Sequence, residues 1–415
     1  MTAKSQIVTF GCRLNAYESE IIRGHLGQEE NIIVFNTCAV TAEAERQARQ
    51  SIRRVRRKQP ESRIVVTGCA AQTNPDAWHS MPEVDAVVGN DEKLRPGVFD
   101  RSQPEIQVSN IMEVADTAGH LIDGFEGRAR AFLQVQNGCN HRCTFCIIPY
   151  ARGNSRSIPV RDVVEKARHL VDRGYMEIVL TGVDIGDYGR DLGGCPSLAN
   201  LIEIILAEIP KLMRLRLSSI DPVEINEGLI NLIANEKRLM PHLHLSVQSG
   251  DDLILKRMKR RHTRNDVIGI CETLRGLRPD ILYGADLIAG FPTETKDNFD
   301  NTLNLVNECG FAFLHVFPYS SRGGTPAARM PQLPSAVRKE RAKLLRDTGY
   351  LAAKRIFQSF VGSRQAVLVE GNTRGRTEHF VHIDLDKSAQ VGTVVSVDVV
   401  DVSENGLVGA LSCGL

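Results

Sequence analysis

The chain reads as an α/β protein in three parts: an N-terminal parallel α/β domain, a central partial (β/α)6 barrel and a small C-terminal β-barrel. Three observations predict this. Apolar β-branched runs alternate with helix-like segments over residues 1–105, the pattern of a parallel sheet with crossover helices. Six further strand–helix units fall within 131–355, enough for a partial barrel. From 356 to 415 the texture changes to short strands separated by Gly and Asn turns, which suits a small barrel. Residues 106–130 are left as a linker.

Composition agrees and narrows the function classes. A chain of 415 residues holds two or three domains, and a hydrophobic content of 42% supplies ample core. The formal net charge is +1, so no global field selects a partner and any nucleic-acid contact must come from local patches. The start, Met1-Thr2-Ala3-Lys4-Ser5-Gln6, enters an apolar run too short for a signal sequence. The longest apolar stretches, such as 201–209, fall short of a membrane span. A cytoplasmic protein with no membrane partner is expected, where thiols stay reduced and ten cysteines suggest metal ligation more than disulfides.

In the first domain one pattern occurs three times. The apolar runs at 7–10, 32–37 and 63–68 each lead into a cysteine: Cys12, Cys38 and Cys69. Helix-like segments follow the first two, at 15–26 and 41–58. Ligand sites of parallel α/β sheets form at the carboxyl ends of the strands, so the three thiols can converge on one point and hold a cluster. One such cysteine would suit a buried structural role. Three equivalent placements favour ligation.

A second set follows the linker. Cys139, Cys143 and Cys146 stand in Asn137-Gly138-Cys139-Asn140-His141-Arg142-Cys143-Thr144-Phe145-Cys146, a C-x3-C-x2-C spacing. Three thiolates on one loop hold three irons of a [4Fe–4S] cluster and leave the fourth open for substrate chemistry. The competing arrangement is a zinc knuckle with His141 as fourth ligand, although structural zinc prefers paired C-x2-C units.

The second set, with aromatic Phe145 before its last cysteine, resembles the radical S-adenosylmethionine (SAM) enzymes. Gly11-Cys12-Arg13-Leu14-Asn15, Asn36-Thr37-Cys38-Ala39-Val40-Thr41 and Gly68-Cys69-Ala70-Ala71-Gln72 resemble the N-terminal domain of the methylthiotransferases within that group. The Arg-Leu-Asn and Ala-Val-Thr forms are similar to the branch that acts on N6-threonylcarbamoyladenosine beside the tRNA anticodon; the isopentenyladenosine branch more often has Gln-Met-Asn after its first cysteine. The resemblance implies two [4Fe–4S] clusters, SAM, tRNA through its anticodon arm, an electron donor such as flavodoxin or ferredoxin, and a sulfur source. It implies that one SAM methylates sulfur on the first cluster and another gives a deoxyadenosyl radical that abstracts the adenine C2 hydrogen. No side-chain acid or base is assigned a catalytic role, since none displaces an aromatic hydrogen at neutral pH.

Strands of the central domain are expected at 131–136, 177–181, 215–218, 243–247, 282–288 and 313–317, and helices at 160–173, 197–207, 263–277 and 296–308. Barrel sites lie at the C-terminal ends of strands. The resemblance places SAM there: Gly182 and Val183 toward its amino group, Ser219 and Asp221 toward the ribose, Gln248 as a polar contact, and 290–294 flanking adenine, with no contact assigned to Thr293. Polar residues after strands also serve as turn formers and caps. Arg152 and Arg156 follow the cluster loop and suit a carboxylate or phosphate, or are surface residues.

Two basic tracts, Arg46, Arg49, Arg53, Arg56 and Arg57 on one helix and 256–264 on another segment, are candidate phosphate contacts; solvated helix faces are the plainer alternative. The C-terminal strands are expected at 365–370, 378–383, 393–402 and 407–411, with 371–376 as a basic loop. They resemble the TRAM module of RNA-modifying enzymes. Phe380 suits a core position or a base stack. Cys195, Cys271, Cys309 and Cys413 have no ligand spacing and are read as packing residues. Other functions remain open: methylthiolation of isopentenyladenosine or of a ribosomal-protein aspartate, or RNA binding with structural metal.

Overall fold

The structure is a computed structural model that describes residues 5–26, 31–115, 124–125 and 127–412. Part of the expected linker, together with residues 1–4 and Cys413, lies outside the described residues.

The first part holds β1 (Gln6–Thr9), α1 (Arg13–Leu26), β2 (Ile32–Thr37), α2 (Ala42–Lys58), β3 (Arg63–Gly68), α3 (Cys69–Thr73), α4 (Pro75–His79), β4 (Ala86–Val88) and β5 (Ile106–Gln107). The strands form one parallel sheet in the order β1-β2-β3-β4-β5. Every residue of β2 is buried. Its unbroken apolar run, rather than an alternating one, follows from covering both faces of a parallel sheet. α2 begins where Thr41 Oγ1 accepts the Ala44 amide at 3.2 Å, a side-chain cap.

The central part holds β6 (Ala131–Gln134), β7 (Gln136–Asn137), α5 (Ile148–Arg152), β8 (Arg156–Ser157), α6 (Val160–Asp172), β9 (Glu177–Thr181), α7 (Leu198–Glu208), β10 (Arg214–Leu217), α8 (Glu227–Asn235), β11 (His242–Gln248), α9 (Asp252–Met258), α10 (Arg264–Leu277), β12 (Leu282–Ala289), α11 (Lys296–Cys309), β13 (Phe311–Pro318) and α12 (Ser335–Gln358). Two parallel sheets, β6-β9-β10 and β11-β12-β13, are joined by bridges at Leu215–Leu239 and Ile220–Leu245. This is an open six-stranded barrel wall. The short helices α8 and α9 were not among the expected segments.

Strands β14 (Arg364–Gly371), β15 (Arg374–Thr377), β16 (His382–Leu385), β17 (Val394–Ser403) and β18 (Gly406–Leu411) close into a barrel in the order β14-β15-β16-β18-β17. The expected basic loop at 371–376 is a correction: most of it is the β14–β15 hairpin, with Gly371 paired to Arg374.

The parts share their cores. Tyr17 and Ile21 of α1 belong to the apolar cluster of the central barrel, and Leu282 and Ala312 to that of the C-terminal barrel. A buried carboxylate ties the second joint. Glu177 lies 2.6 Å from Arg130 and 2.9 Å from Arg216. Arg216 also donates to the Glu378 and Thr377 carbonyls at 2.7 and 2.9 Å, and Arg214 to that of Ala366 at 2.9 Å. Burial alone pushes the Glu177 carboxyl up, but Arg216, Arg130 and Arg214 outweigh it and hold its pKa at about 2.

Removing one member of such a network leaves charge uncompensated, at a cost of about 3–5 kcal/mol. Glu177→Gln therefore lowers the unfolding free energy by that order at pH 7. Because the folded pKa lies below the ordinary 4.5, the contribution is complete above pH 4.5 and fades as pH falls toward 2. Urea titrations at pH 7, 5 and 4 check that the gap between wild type and variant is constant at the first two and narrows at the last.

Candidate active site

The β-sheet register brings the first three cysteines together. Thr9 pairs with Asn36, and Thr37 with Gly68, so Cys38 and Cys69 leave adjacent strands side by side. Gly11 has φ +93, and a Cβ on it would fall 2.9 Å from Cys38 Sγ. Only glycine permits both the conformation and the approach. Asn15 donates to the Phe10 and Thr37 carbonyls at 2.7 and 3.0 Å, tying the Cys12 turn to the end of β2. Asn90 Nδ2 reaches Cys69 Sγ at 3.7 Å.

The second three lie on the loop between β7 and α5. The antiparallel β7–β8 pair closes its base, and the Cys139 amide donates to the Gly153 carbonyl at 3.1 Å. Gly138 has φ +71, and a Cβ there would collide with the Asn154 carbonyl. The Thr144 amide donates to the Met258 carbonyl, and the Thr144 carbonyl accepts from Ala327. The loop is thus gripped by α9 and by the segment after β13. Arg260 Nη1 lies 3.7 Å from Cys143 Sγ.

Burial pushes the Cys38 and Cys146 thiols up to about 12 and raises Cys12 and Cys139 as well. Cys69 is among the charges acting on Cys12, Cys38 and Cys146, so the two sets lie within electrostatic reach of each other. Cys12 is exposed, Cys38 and Cys69 are buried, and the second three are half-buried. Gathered soft donors, with N–H groups directed at Cys69 and Cys143, fit iron–sulfur clusters. His141 Nε2 sits 3.0 Å from Asp184 and 3.5 Å from Glu224, and these carboxylates push its pKa up to about 9.

A fully buried network joins the two sets. Glu18 of α1 meets Lys93 at 2.6 Å and Arg152 at 2.7 Å. Arg152 also donates to Asn15 Oδ1 at 2.6 Å and Asn137 Oδ1 at 3.1 Å, and Lys93 to Asn90 Oδ1 at 2.7 Å. Burial opposes ionisation of Glu18, yet the two cations hold its carboxyl below the ordinary range. Arg152 is therefore neither a surface residue nor a free anion receptor. Arg156 is buried too, and donates to the Arg152 and Asn154 carbonyls. Asn15, Glu18, Asn90, Lys93 and Asn137 were missed in the sequence; the available signal was polar residues crowding the strand ends and the cluster loop.

The expected SAM contacts line the C-terminal ends of the barrel strands. Gln136 Oε1 accepts from the Val183 and Asp184 amides at 3.0 and 2.9 Å and packs where a side chain on Gly182 would go. Asp184 in turn lies 3.5 Å from Cys139 Sγ. Ser219 is half-buried, and its side chain has no hydrogen bond to another described residue. Asp221 already carries partners: Arg260 at 2.8 Å, Arg261 at 3.4 Å and His262 at 3.3 Å. Burial opposes its charge, but these groups hold its pKa at about 2. Gln248 ends β11 in the left-handed region, φ +71. Phe145 packs against the buried cluster of Met258, Ile288 and Phe291.

Several residues of the basic tracts already have partners. In 256–264, Arg257 donates to Thr293 Oγ1 at 2.8 Å, Arg261 pairs with Glu224, and Arg264 donates to the Gly250 and Asn301 carbonyls. On α2, Arg49 covers the Trp78 ring at 4.1 Å and Arg56 binds Asp85 at 2.5 Å. These guanidiniums brace loops because carbonyls and carboxylates lie within their reach. Phe380 is corrected: it is half-buried and faced by arginines rather than packed in the apolar core.

This constellation defines a radical SAM enzyme. Residues 133–306 match the Radical SAM superfamily and residues 4–89 match the Uncharacterized protein family UPF0004. The solved TsrM methyltransferase of Kitasatospora setae shares the fold, with a TM-score of 0.55 at 14% identity over 89% of this chain and 82% of that one. Full-length similarity is greater. The threonylcarbamoyladenosine tRNA methylthiotransferase MtaB of Rickettsia prowazekii is 51% identical over 99% of this chain and 97% of its own. MtaB of Thermotoga maritima is 36% identical over 97% and 96%. The tRNA-2-methylthio-N(6)-dimethylallyladenosine synthase of Cereibacter sphaeroides is 36% identical over 97% of each. The chain belongs to the radical SAM methylthiotransferases, transferases whose cofactors are SAM and two [4Fe–4S] clusters. No helix among the described residues is long and apolar enough to cross a membrane.

The buried network makes a quantitative demand. Glu18→Gln and Arg152→Met each lower stability by about 3–5 kcal/mol. In the double variant the losses fall short of additivity by about 0.5–3 kcal/mol, as contacting charges do. Denaturant unfolding of the four proteins measures the coupling.

Proposed function

We propose that the protein converts N6-threonylcarbamoyladenosine next to the tRNA anticodon into its 2-methylthio derivative. The observation that carries this reading is end-to-end similarity, at 51% identity, to a relative named for that substrate. At 36% identity the threonylcarbamoyl and dimethylallyl relatives are equally similar. The higher figure favours the former.

Cys139, Cys143 and Cys146 would hold the cluster that binds SAM, and Cys12, Cys38 and Cys69 the cluster that carries sulfur. Bound there, the groups would supply one-electron chemistry and a methylthio unit, which side chains cannot. The chain's own residues position and enclose. Phe145 walls the cluster loop. Gly182, Val183, Ser219, Asp221 and Gln248 would orient SAM, with Asp221 also holding Arg260 beside Cys143. Glu18 and Arg152 fix the distance between the sets. The closed C-terminal barrel, which begins at Arg364 within the segment from 356 onward, supports an RNA-binding role like that of TRAM, after domains at 1–105 and 131–355 joined by the 106–130 linker. A flavodoxin or ferredoxin would deliver electrons, a separate donor the sulfur, and the reaction belongs in the cytoplasm with its tRNA.

Mass spectrometry of tRNA nucleosides tests the assignment. Cells lacking the gene lose 2-methylthio-N6-threonylcarbamoyladenosine and accumulate its unthiolated precursor; the wild-type gene restores it and a Cys38→Ala copy does not. An unchanged profile rejects the tRNA substrate, and loss of the isopentenyl derivative instead reassigns it.

A further inference from the structure

A cavity of about 610 Å³ opens between the start of α1, strands β11 and β13, α12 and the C-terminal barrel. Arg13, His242, His315, Arg346, Arg376 and Phe380 are among its lining residues. Phe380, held at φ +67, is faced by four guanidiniums: Arg376 at 4.4 Å, Arg216 at 5.1 Å, Arg130 at 5.2 Å and Arg13 at 5.7 Å from its ring centroid.

Three of the four have carboxylate partners. Arg130 pairs with Glu177 and Glu370. Arg216 has Glu177 and two carbonyls. Arg376 donates to the Phe380 carbonyl at 2.9 Å and lies 3.4 Å from Glu370. Arg13 alone makes no hydrogen bond or ion pair with another described residue. The charges acting on it are repulsive, from Arg130, Arg216 and Arg376, apart from Asp286. The Oδ1 of Asp286 is already held by His244 at 3.0 Å and His315 at 3.1 Å. At the rim, exposed Arg346 has only the Val316 carbonyl, at 3.5 Å. A half-buried guanidinium crowded by like charges is stabilised by an anion, and its planar fork matches a carboxylate.

The geometry points to this cavity as the receptor for the carboxylate of the substrate's N6 side chain, with Arg13 as its two-pronged partner and Arg346 as a second charge at the rim. The inference rests on the N6-threonylcarbamoyladenosine reading above. Arg13 directly follows Cys12, so their Cα atoms are about 3.8 Å apart. The turn that carries the first cysteine thus also carries the proposed anchor. An RNA phosphate offers the same anionic chemistry, and the test separates the two.

Fluorescence anisotropy would measure binding of anticodon stem-loops to the full chain loaded with iron and sulfide. Three loops are compared: one carrying N6-threonylcarbamoyladenosine, one its neutral carboxamide, and one plain adenosine. Wild type is expected to favour the acid over the carboxamide by about 10- to 100-fold, the range for a charged hydrogen-bonded pair. Arg13→Gln brings that ratio close to one, and Arg346→Gln lowers it part of the way. A wild type indifferent to the carboxamide overturns the inference. So does an Arg13→Gln variant that weakens all three loops equally, the result expected of a phosphate contact or a structural role. Should Arg13→Gln fail to load or fold, the wild-type ratio and its fall in Arg346→Gln decide the matter. Turnover by wild type reads the substrate assignment separately: methylthiolation of an isopentenyl loop but not the threonylcarbamoyl loop rejects that assignment, whatever the binding ratios.

Discussion

Glu18 is one carboxylate with two buried cations, and the site depends on where it holds them. Lys93 comes from the first domain and Arg152 from the helix after the cluster loop. Three charges so far from water are tolerable only because each is hydrogen-bonded as well as paired. Asn15, Asn90 and Asn137 complete the set. Asn15 and Asn90 also reach the ends of the strands that carry Cys12, Cys38 and Cys69. The ion network and the thiol geometry are therefore one construction.

The barrel repeats the principle at its other joint. Glu177 gathers Arg130, Arg214 and Arg216, and two of these arginines bind carbonyls of the C-terminal barrel. The interior thus carries charge fixed by partners at both joints, while half-buried Arg13, where the three parts meet, has no ion partner among the described residues. Apolar packing is continuous across the joints. It supplies cohesion, while the ion networks set register, since hydrophobic contact is non-directional and hydrogen bonds to charged groups are not.

What the sequence made legible follows from period and spacing. Cysteines after three apolar runs, and three more on one loop, identify both thiol sets because strand ends and ligand spacing are local features. The six barrel strands and four long helices are likewise written in local periodicity. Charge direction is not. Arg260 sits in a basic tract and Arg152 just after the cluster loop, both places that suit a phosphate, yet one turns to Asp221 and the other to Glu18, partners 39 and 134 residues away. Asp221 illustrates the same limit: its place after a strand suits a ribose, but three basic partners surround it. Phe380 could not be placed either, because its neighbours Arg13, Arg130 and Arg216 come from outside the C-terminal barrel. Helices α8 and α9 are too short for a periodic signal to stand out.

Two three-thiol sites are thus presented to one another across a joint fixed by buried charge. Iron and sulfide content after anaerobic reconstitution tests whether they load independently, in wild type and in two triple variants: Cys12→Ala with Cys38→Ala and Cys69→Ala, and Cys139→Ala with Cys143→Ala and Cys146→Ala. Wild type is expected to hold about eight irons per chain and each triple variant about four, one [4Fe–4S] cluster remaining in each. A triple variant that keeps the wild-type iron content, or one whose loss empties both sites while the chain stays folded, would contradict this expectation.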